Sequence, residues 1–294
     1  MYGKTFWLAA ALIAAAFPAF AQVSVELALN QEKYMQYEPI YARVRLRNYS
    51  GQPLVFGKNE RLKGELLLEI EHDHRIVQPV SSEDFSLIGT VLMPGQTSEF
   101  VFQVNRYYKL YKPGRYTMHA YVRHKMLSDM FRSADFTLEI SSGVEIWKRT
   151  VGVPDVLSGA KPQEARRKGL ELRTFSLRVM EEKATRYYYI VVEDKKQVYG
   201  VIRAGREVSS SPYSIEVDML SRLHFIVPVA PRLYRYLVIN LDGKIDQQEM
   251  IKREREAPAL MRDPRNGQVT RIGGVEALPG VDYKRPEPPA KVQP

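Results

Sequence analysis

Residues 38–57 read EPIYARVRLRNYSGQPLVFG, and this stretch decides the fold. Ile40, Ala42, Val44 and Leu46 fall on one face of an extended chain, and Tyr41, Arg43, Arg45 and Arg47 on the other. That period of two belongs to a half-buried β-strand. Asn48, Tyr49, Ser50, Gly51, Gln52 and Pro53 then supply turn residues before Leu54, Val55 and Phe56 resume. The pattern predicts that the aliphatic row is buried and the arginine row is not.

The same alternation recurs on both sides of this segment. Val23, Val25, Leu27 and Leu29 precede it; Leu66, Leu68 and Ile70 follow. Phe100, Phe102 and Val104 come after the turn 93–96. Tyr116, Met118, Ala120 and Val122 come after Pro113 and Gly114, and Ala134, Phe136, Leu138 and Ile140 close the set. Turn signals stand between these runs and no helical period is sustained, the pattern of an antiparallel sandwich. The predicted fold class is therefore all-β.

Several phrases carry a resemblance: Tyr37-Glu38-Pro39-Ile40, Leu46 to Leu54 (LRNYSGQPL), Pro94-Gly95-Gln96 and Pro113-Gly114-Arg115-Tyr116. Together they resemble the immunoglobulin-like β-sandwich domains of bacterial exported proteins, over residues 22–142. Such domains often carry glycine where Tyr37 stands. The resemblance implies an Ig-like fold and no particular activity, because these domains serve as adhesion modules, inhibitors, spacers and enzyme accessories alike.

Residues 1–21 have Lys4 near the front, an apolar run from Phe6 to Phe17 and the small-x-small triplet Ala19-Phe20-Ala21. This is the form of a signal peptide, with cleavage expected near Gln22. The run is too short for a stable span, so the expectation is a periplasmic or secreted protein with no transmembrane span after cleavage. The chain has no cysteine, which excludes disulfides, thiolate metal sites, cysteine nucleophiles and lipid attachment at a mature N-terminus. The net charge of +9 points to anionic partners. The basic residues are scattered, however, and an exported chain rarely meets nucleic acid, so no nucleic-acid partner is expected.

Residues 143–165, with Gly152, Pro154, Gly159 and Pro162, read as a linker with a short helix near 163–168 and Trp147 as an interdomain plug. Residues 166–256 return to strands around Phe175, RYYYIVV at 186–192, 198–203, 214–219, 223–229 and 233–240. Glu193-Asp194 and Asp242-Gly243 mark hairpin turns. The expectation is a second, mostly antiparallel β domain. Its segment 223–249 resembles a stretch of exported bacterial proteins, a likeness that implies no activity. Residues 257–294 read as a Pro/Gly-rich tail, partly disordered, with an edge strand at 269–275 and docking left open.

Four motifs invite a chemical reading. NLDGKIDQQE at 240–249 aligns with a calcium loop, but the first ligand position falls on Val238 and a strand replaces the entering helix; a D-G hairpin accounts for the same residues, and ion binding stays open. His72 and His74, two apart on a strand, share a face suited to a metal but have no third ligand by spacing, and they also read as ordinary strand-end residues that run into a loop. Arg43, Arg45 and Arg47, beside Tyr41, suit a sulfated or carboxylated glycan, or a solvated face paired with acidic neighbours. Tyr187-Tyr188-Tyr189 and Tyr107-Tyr108 suit sugar stacking, although alternation turns one tyrosine of each run into a core. No nucleophile elbow, HExxH or phosphate loop is present. The reading is a non-enzymatic binding or structural module acting through protein-protein contacts, with a protein or cell-envelope partner and no catalytic, cofactor or metal residues assigned. The alternatives are a carbohydrate-binding protein and a glycan-active hydrolase with an unrecognised carboxylate pair.

Overall fold

The computed structural model describes residues 22–59, 61–80, 85, 87–153, 171–208 and 211–284. The leader predicted at 1–21, the helix predicted at 163–168 and the last ten residues lie outside them.

The first body runs through β1 (Val23–Leu29), β2 (Lys33–Met35), β3 (Tyr41–Asn48), β4 (Leu54–Val55), β5 (Gly64–His72), β6 (Arg75–Ile76), β7 (Val91–Leu92), β8 (Thr97–Gln103), β9 (Gly114–His124), β10 (Phe131–Arg132) and β11 (Phe136–Ser141). One sheet has the order β1-β3-β8, the other β2-β11-β9-β5-β6, with β10 added to β9 and a small β4-β7 pair beside them. Pairing is antiparallel except for β2, which runs parallel to β11. The two sheets face each other across a single core of alternate side chains: Ala42, Val44 and Leu46 of β3 meet Leu66, Leu68 and Ile70 of β5 and Met118, Ala120 and Val122 of β9. This is sandwich packing, in which each sheet hides one face.

The strand that decides the fold behaves as its sequence predicts. Ile40, Ala42, Val44 and Leu46 are buried, while Arg43, Arg45 and Arg47 are exposed. Its end is fixed by the side chain of Asn48, fully buried. The amide donates to Gln52 O at 2.7 Å and Leu92 O at 2.8 Å, and Oδ1 accepts from Ser50 N and Ser50 Oγ. A buried asparagine able to both donate and accept satisfies the turn's backbone groups where no ladder continues.

The second body comprises β12 (Val144–Gly152), β13 (Leu172–Glu182), β14 (Thr185–Glu193), β15 (Val198–Arg206), β16 (Ser214–Val217), β17 (Leu223–Ala230), β18 (Leu233–Ile239), β19 (Ile245–Lys252), β20 (Ala259–Arg262), β21 (Val269–Ile272) and β22 (Val275–Glu276). Sheet β12-β13-β14-β15 packs against sheet β16-β17-β18-β19-β22, with Phe175, Leu177, Ile190 and Val192 meeting Leu223, Phe225, Leu237 and Ile239. The outer face of the second sheet is apolar too. Ile226, Tyr234, Val238 and Ile251 pack with Ala257 and Leu260 beside the β20-β21 ribbon. The regular structure of the described residues is thus almost wholly β, with no α-helix among them.

Two expectations are corrected here, and one question left open is answered. The linker predicted at 143–165 is, over its first part, the edge strand β12, paired with β13 from Val144 to Gly152; β-branched residues at 144, 146, 150 and 151 outweigh the breakers that follow. Trp147 packs against the second body's core, not between the bodies. The tail from 257, whose docking the sequence left open, is paired in this structure: β20 pairs β21, which lies in the edge strand expected at 269–275, and β22 joins the sheet at β19.

The bodies meet where Met35 of β2 packs with Met180 and Tyr189. Glu38 is buried there. It accepts from Met35 N at 2.8 Å and from the Gln31 amide at 3.0 Å, and burial pushes its carboxyl above the ordinary range. Arg203 of β15 donates to Gln31 Oε1 and, at 2.8 Å, to Glu182, while its guanidinium lies 3.8 Å over the Tyr187 ring. Lys183 pairs with Glu32 at 2.8 Å on the rim.

Candidate functional site

At the end of the first sandwich, the turn leaving β5 and the loop entering β9 enclose a cleft of about 540 Å³. Its walls are His72, Asp73, Arg75, Ile76 and Val77 from one side and Lys109, Tyr111, Lys112 and Tyr116 from the other. Asp73 and His74 both take positive φ, 50° and 59°, which makes the β5-β6 connection a two-residue turn of the hairpin-favoured kind. That turn sets aside the shared-face reading of the histidines and agrees with the strand-end one: His72 ends a strand, and His74 sits in the turn.

His72 is held in place. Its ring lies parallel to that of Tyr116, with centroids 4.2 Å apart, and Nδ1 is 3.1 Å from Arg115 O. Against a carbonyl, Nδ1 carries the proton, leaving Nε2 toward Asp73 at 3.4 Å. Gly114 makes the room. Its φ is +141°, and a Cβ there would come within 2.6 Å of the imidazole. The Tyr116 hydroxyl donates to Lys112 O at 2.8 Å, fixing the opposite loop, and burial raises its pKa.

Tyr111 extends this wall. Its ring lies 6.1 Å from that of Tyr37, with 12° between the planes, and Gln36 donates to Tyr111 O at 2.6 Å. Both rings are substantially exposed, Tyr37 by 46% and Tyr111 by 39%. Tyr37 has φ 68°, the left-handed conformation that glycine adopts most readily.

Two arginine-lysine groups can now be compared. In the sequence-predicted stripe, Arg43 pairs with Glu99 at 3.3 Å, Arg45 with Glu26 and Glu99 at 3.4 Å each, and Arg47 lies over Tyr49 at 4.9 Å. Two of the three arginines are thus paired with acids of their own sheet. Arg75, Lys109 and Lys112 make no ion pair among the described residues, and all three are exposed around one cleft. They lie 34 to 37 residues apart in sequence or three apart across a loop, so only the strand pairing of β5 with β9 assembles them.

The other motifs serve the fold. Asn240 Oδ1 accepts from Asp242 N and Lys244 N at 3.0 Å each, and its amide donates to Asp246 at 2.7 Å, so the calcium-like segment is a hydrogen-bonded hairpin turn. Tyr188 enters the second core and Tyr189 the contact between bodies. Tyr108 is buried with its hydroxyl on Leu68 O at 2.6 Å. RYYYIVV is apolar on both faces because its sheet is covered on both.

One constellation was invisible in the sequence. His224 Nε2 lies 3.1 Å from Asp218, and its Nδ1 lies 2.7 Å from the Tyr236 hydroxyl, all three residues being buried. Burial works against the Asp218 charge, but the Arg222 amide, His224 and the Arg222 guanidinium hold its carboxyl below the usual range. Asp218 also accepts from Leu220 N and Arg222 N, which ties the 218–222 turn to the sheet. Burial raises the Tyr236 hydroxyl pKa, the opposite of an activated nucleophile. Residues 218, 224 and 236 have no motif spacing; cross-strand register brings them together.

Among the described residues no group of three or more His, Asp or Glu is placed to hold a metal ion, and no helix is long and apolar enough to cross a membrane. No protein-family model matches the chain, and no curated protein does. Among solved structures, the chain has a likeness to the crystal structure of Spo0M, a sporulation control protein from Bacillus subtilis. It is 10% identical, spans 65% of this chain and 91% of that one, and has a TM-score of 0.29; no property of this chain is drawn from it.

Proposed function

We propose that this protein is an exported, non-enzymatic binding module that meets a protein or other cell-envelope partner at the cleft between the β5-β6 turn and the β9 entry loop. The observation that carries the reading is the gathering of Arg75, Lys109 and Lys112 around exposed Tyr111. Exposed cations beside an aromatic ring are the usual means of grasping an anionic partner, whereas His224, Asp218 and Glu38 are engaged in holding the fold. The leader-like residues 1–21 support export. An Ig-like assignment of the first sandwich is supported by its packing of three strands against six, with β2 parallel to β11.

The test is capture from envelope extract by the chain from Gln22 onward, in parallel with the double variant Lys109→Gln/Lys112→Gln. Binding that the double variant loses supports the module. Equal capture by both proteins, or hydrolytic turnover on a substrate panel, overturns it.

A further inference from the structure

We propose that the cleft binds an acidic polysaccharide, a chain of uronate-type pyranose rings, with Tyr111 in the cleft wall, and Tyr37 stacked on it just outside the lining, taking the flat sugar faces and Arg75, Lys109 and Lys112 taking the carboxylates. This rests on reading the cleft as a binding site and names what it binds.

The first argument is Tyr37. A non-glycine residue in the left-handed region costs about 1–2 kcal/mol, and glycine would relieve that strain. The ring does not repay it by entering a core. It stands 46% exposed, parallel to a second exposed tyrosine. Backbone strain retained to display a side chain on the surface is a feature of ligand-contacting positions.

The second argument is the match of two chemistries in one concavity. Ring faces take flat apolar surfaces, and ammonium and guanidinium groups take carboxylates through charge-assisted hydrogen bonds. A uronate chain offers both at every residue, a C–H face and a carboxylate on its rim. An acidic peptide offers the carboxylates without regular flat faces, and a neutral glycan offers the faces but leaves three cations idle. The size agrees. A cleft of about 540 Å³ lies within the range of sites that enclose small ligands, so it holds a few sugar rings at a time. The wall is also rigid. His72, stacked on Tyr116 and lodged over Gly114, fixes one side, and the Tyr116 bond to Lys112 O and the Gln36 bond to Tyr111 O fix the other. Such preorganisation reduces the ordering cost of binding.

Titration calorimetry with oligogalacturonate tests the proposal. A neutral cello-oligosaccharide, oligoglutamate and oligothymidylate serve as comparators at equal chain length. The expected result is oligogalacturonate binding at least about tenfold tighter than each comparator. Tyr111→Ala and Lys109→Gln/Lys112→Gln should each weaken it about tenfold or more, while Arg43→Gln/Arg45→Gln leaves it unchanged. Circular dichroism on these surface variants verifies that the fold persists. Absence of binding overturns the proposal. So does equal affinity for oligoglutamate, tighter binding of oligothymidylate, or indifference to Tyr111→Ala. If the glycan fails while envelope capture still depends on Lys109 and Lys112, the sugar assignment falls and the module reading stands.

Discussion

The amide of Asn48 donates to the carbonyl of Leu92 across 44 residues of sequence at 2.8 Å. A short motif at the end of β3 is thereby bolted to the loop that carries β7. Asn48→Ala leaves the buried Leu92 carbonyl, and at the more open rim the Gln52 carbonyl and two Ser50 donors, without that partner. The expected cost is about 2–3 kcal/mol, since each buried group left unsatisfied carries a desolvation penalty of about 1–3 kcal/mol. Urea denaturation of the variant measures it. Ser50→Ala, whose hydroxyl has a more exposed setting, should cost less than half as much.

Gly200 and Gly243 touch backbone to backbone. A Cβ on Gly200 would meet Gly243 O at 2.6 Å, and one on Gly243 would meet Gly200 N at 2.7 Å. Backbone cannot swing aside as a side chain can, so Gly200→Ala should destabilise by about 1–3 kcal/mol. Gly51→Ala is the control: it has positive φ but nothing within 4 Å, so only the conformational cost of about 1 kcal/mol applies. Thermal midpoints of the two variants should separate accordingly.

Arg203 joins the two bodies through Gln31, Glu182 and the Tyr187 ring. Arg203→Ala removes the partner of Glu182 and loosens the network around buried Glu38, with an expected loss of ~2 kcal/mol, below that of a fully buried pair because the side chain is 27% exposed. Arg203→Lys keeps the charge but loses the planar fork and the stacking, so it should recover only part. Limited proteolysis at the contact between bodies should accelerate in the same order.

Acid should act in opposite directions at two carboxyls. Burial raises Glu38. Its stabilising contribution is therefore fully present below the unfolded-state value and lost as pH rises through the folded one. Asp194 is lowered to about 2 by the Lys196 amide, the Tyr199 hydroxyl and the Gln197 amide. Its contribution is present above the ordinary aspartate value and lost as pH falls through about 2. Denaturation midpoints across this window should rise for Asp194→Asn relative to the parent only at the acid end, while Glu38→Gln should flatten the parent's loss of stability as pH rises from acid to neutral.

The hairpin at Asn240 gives a direct contrast with calcium binding. Because Asn240 Oδ1 accepts from two backbone amides of the turn, Asn240→Ala should lower stability by about 1 kcal/mol. The loss should be the same in calcium and in chelator. A loss seen only with calcium present would make the segment an ion site.

The sequence by itself determined the strands and their buried faces. Ile40, Ala42, Val44 and Leu46 are inside because a period of two has no other way to hide them, and the same rule located Leu66 to Ile70, Tyr116 to Val122 and Phe175 to Val179. It also located the turns at Asn48, Gly95 and Gly243. Periodicity is local, and such features survive in any window of the chain. It misjudged the edge strand β12 and left the docking of the ribbon after 257 open, because an exposed strand shows little alternation and its stability comes from a neighbour's unpaired backbone groups. Tertiary structure alone decided the chemistry. Arg43 and Arg45, conspicuous in sequence, are neutralised by Glu26 and Glu99 on adjacent strands, whereas Arg75, Lys109 and Lys112, unremarkable in sequence, share a cleft. Register between distant strands sets which charges face each other, and pairing over such separations leaves no periodic trace in the chain.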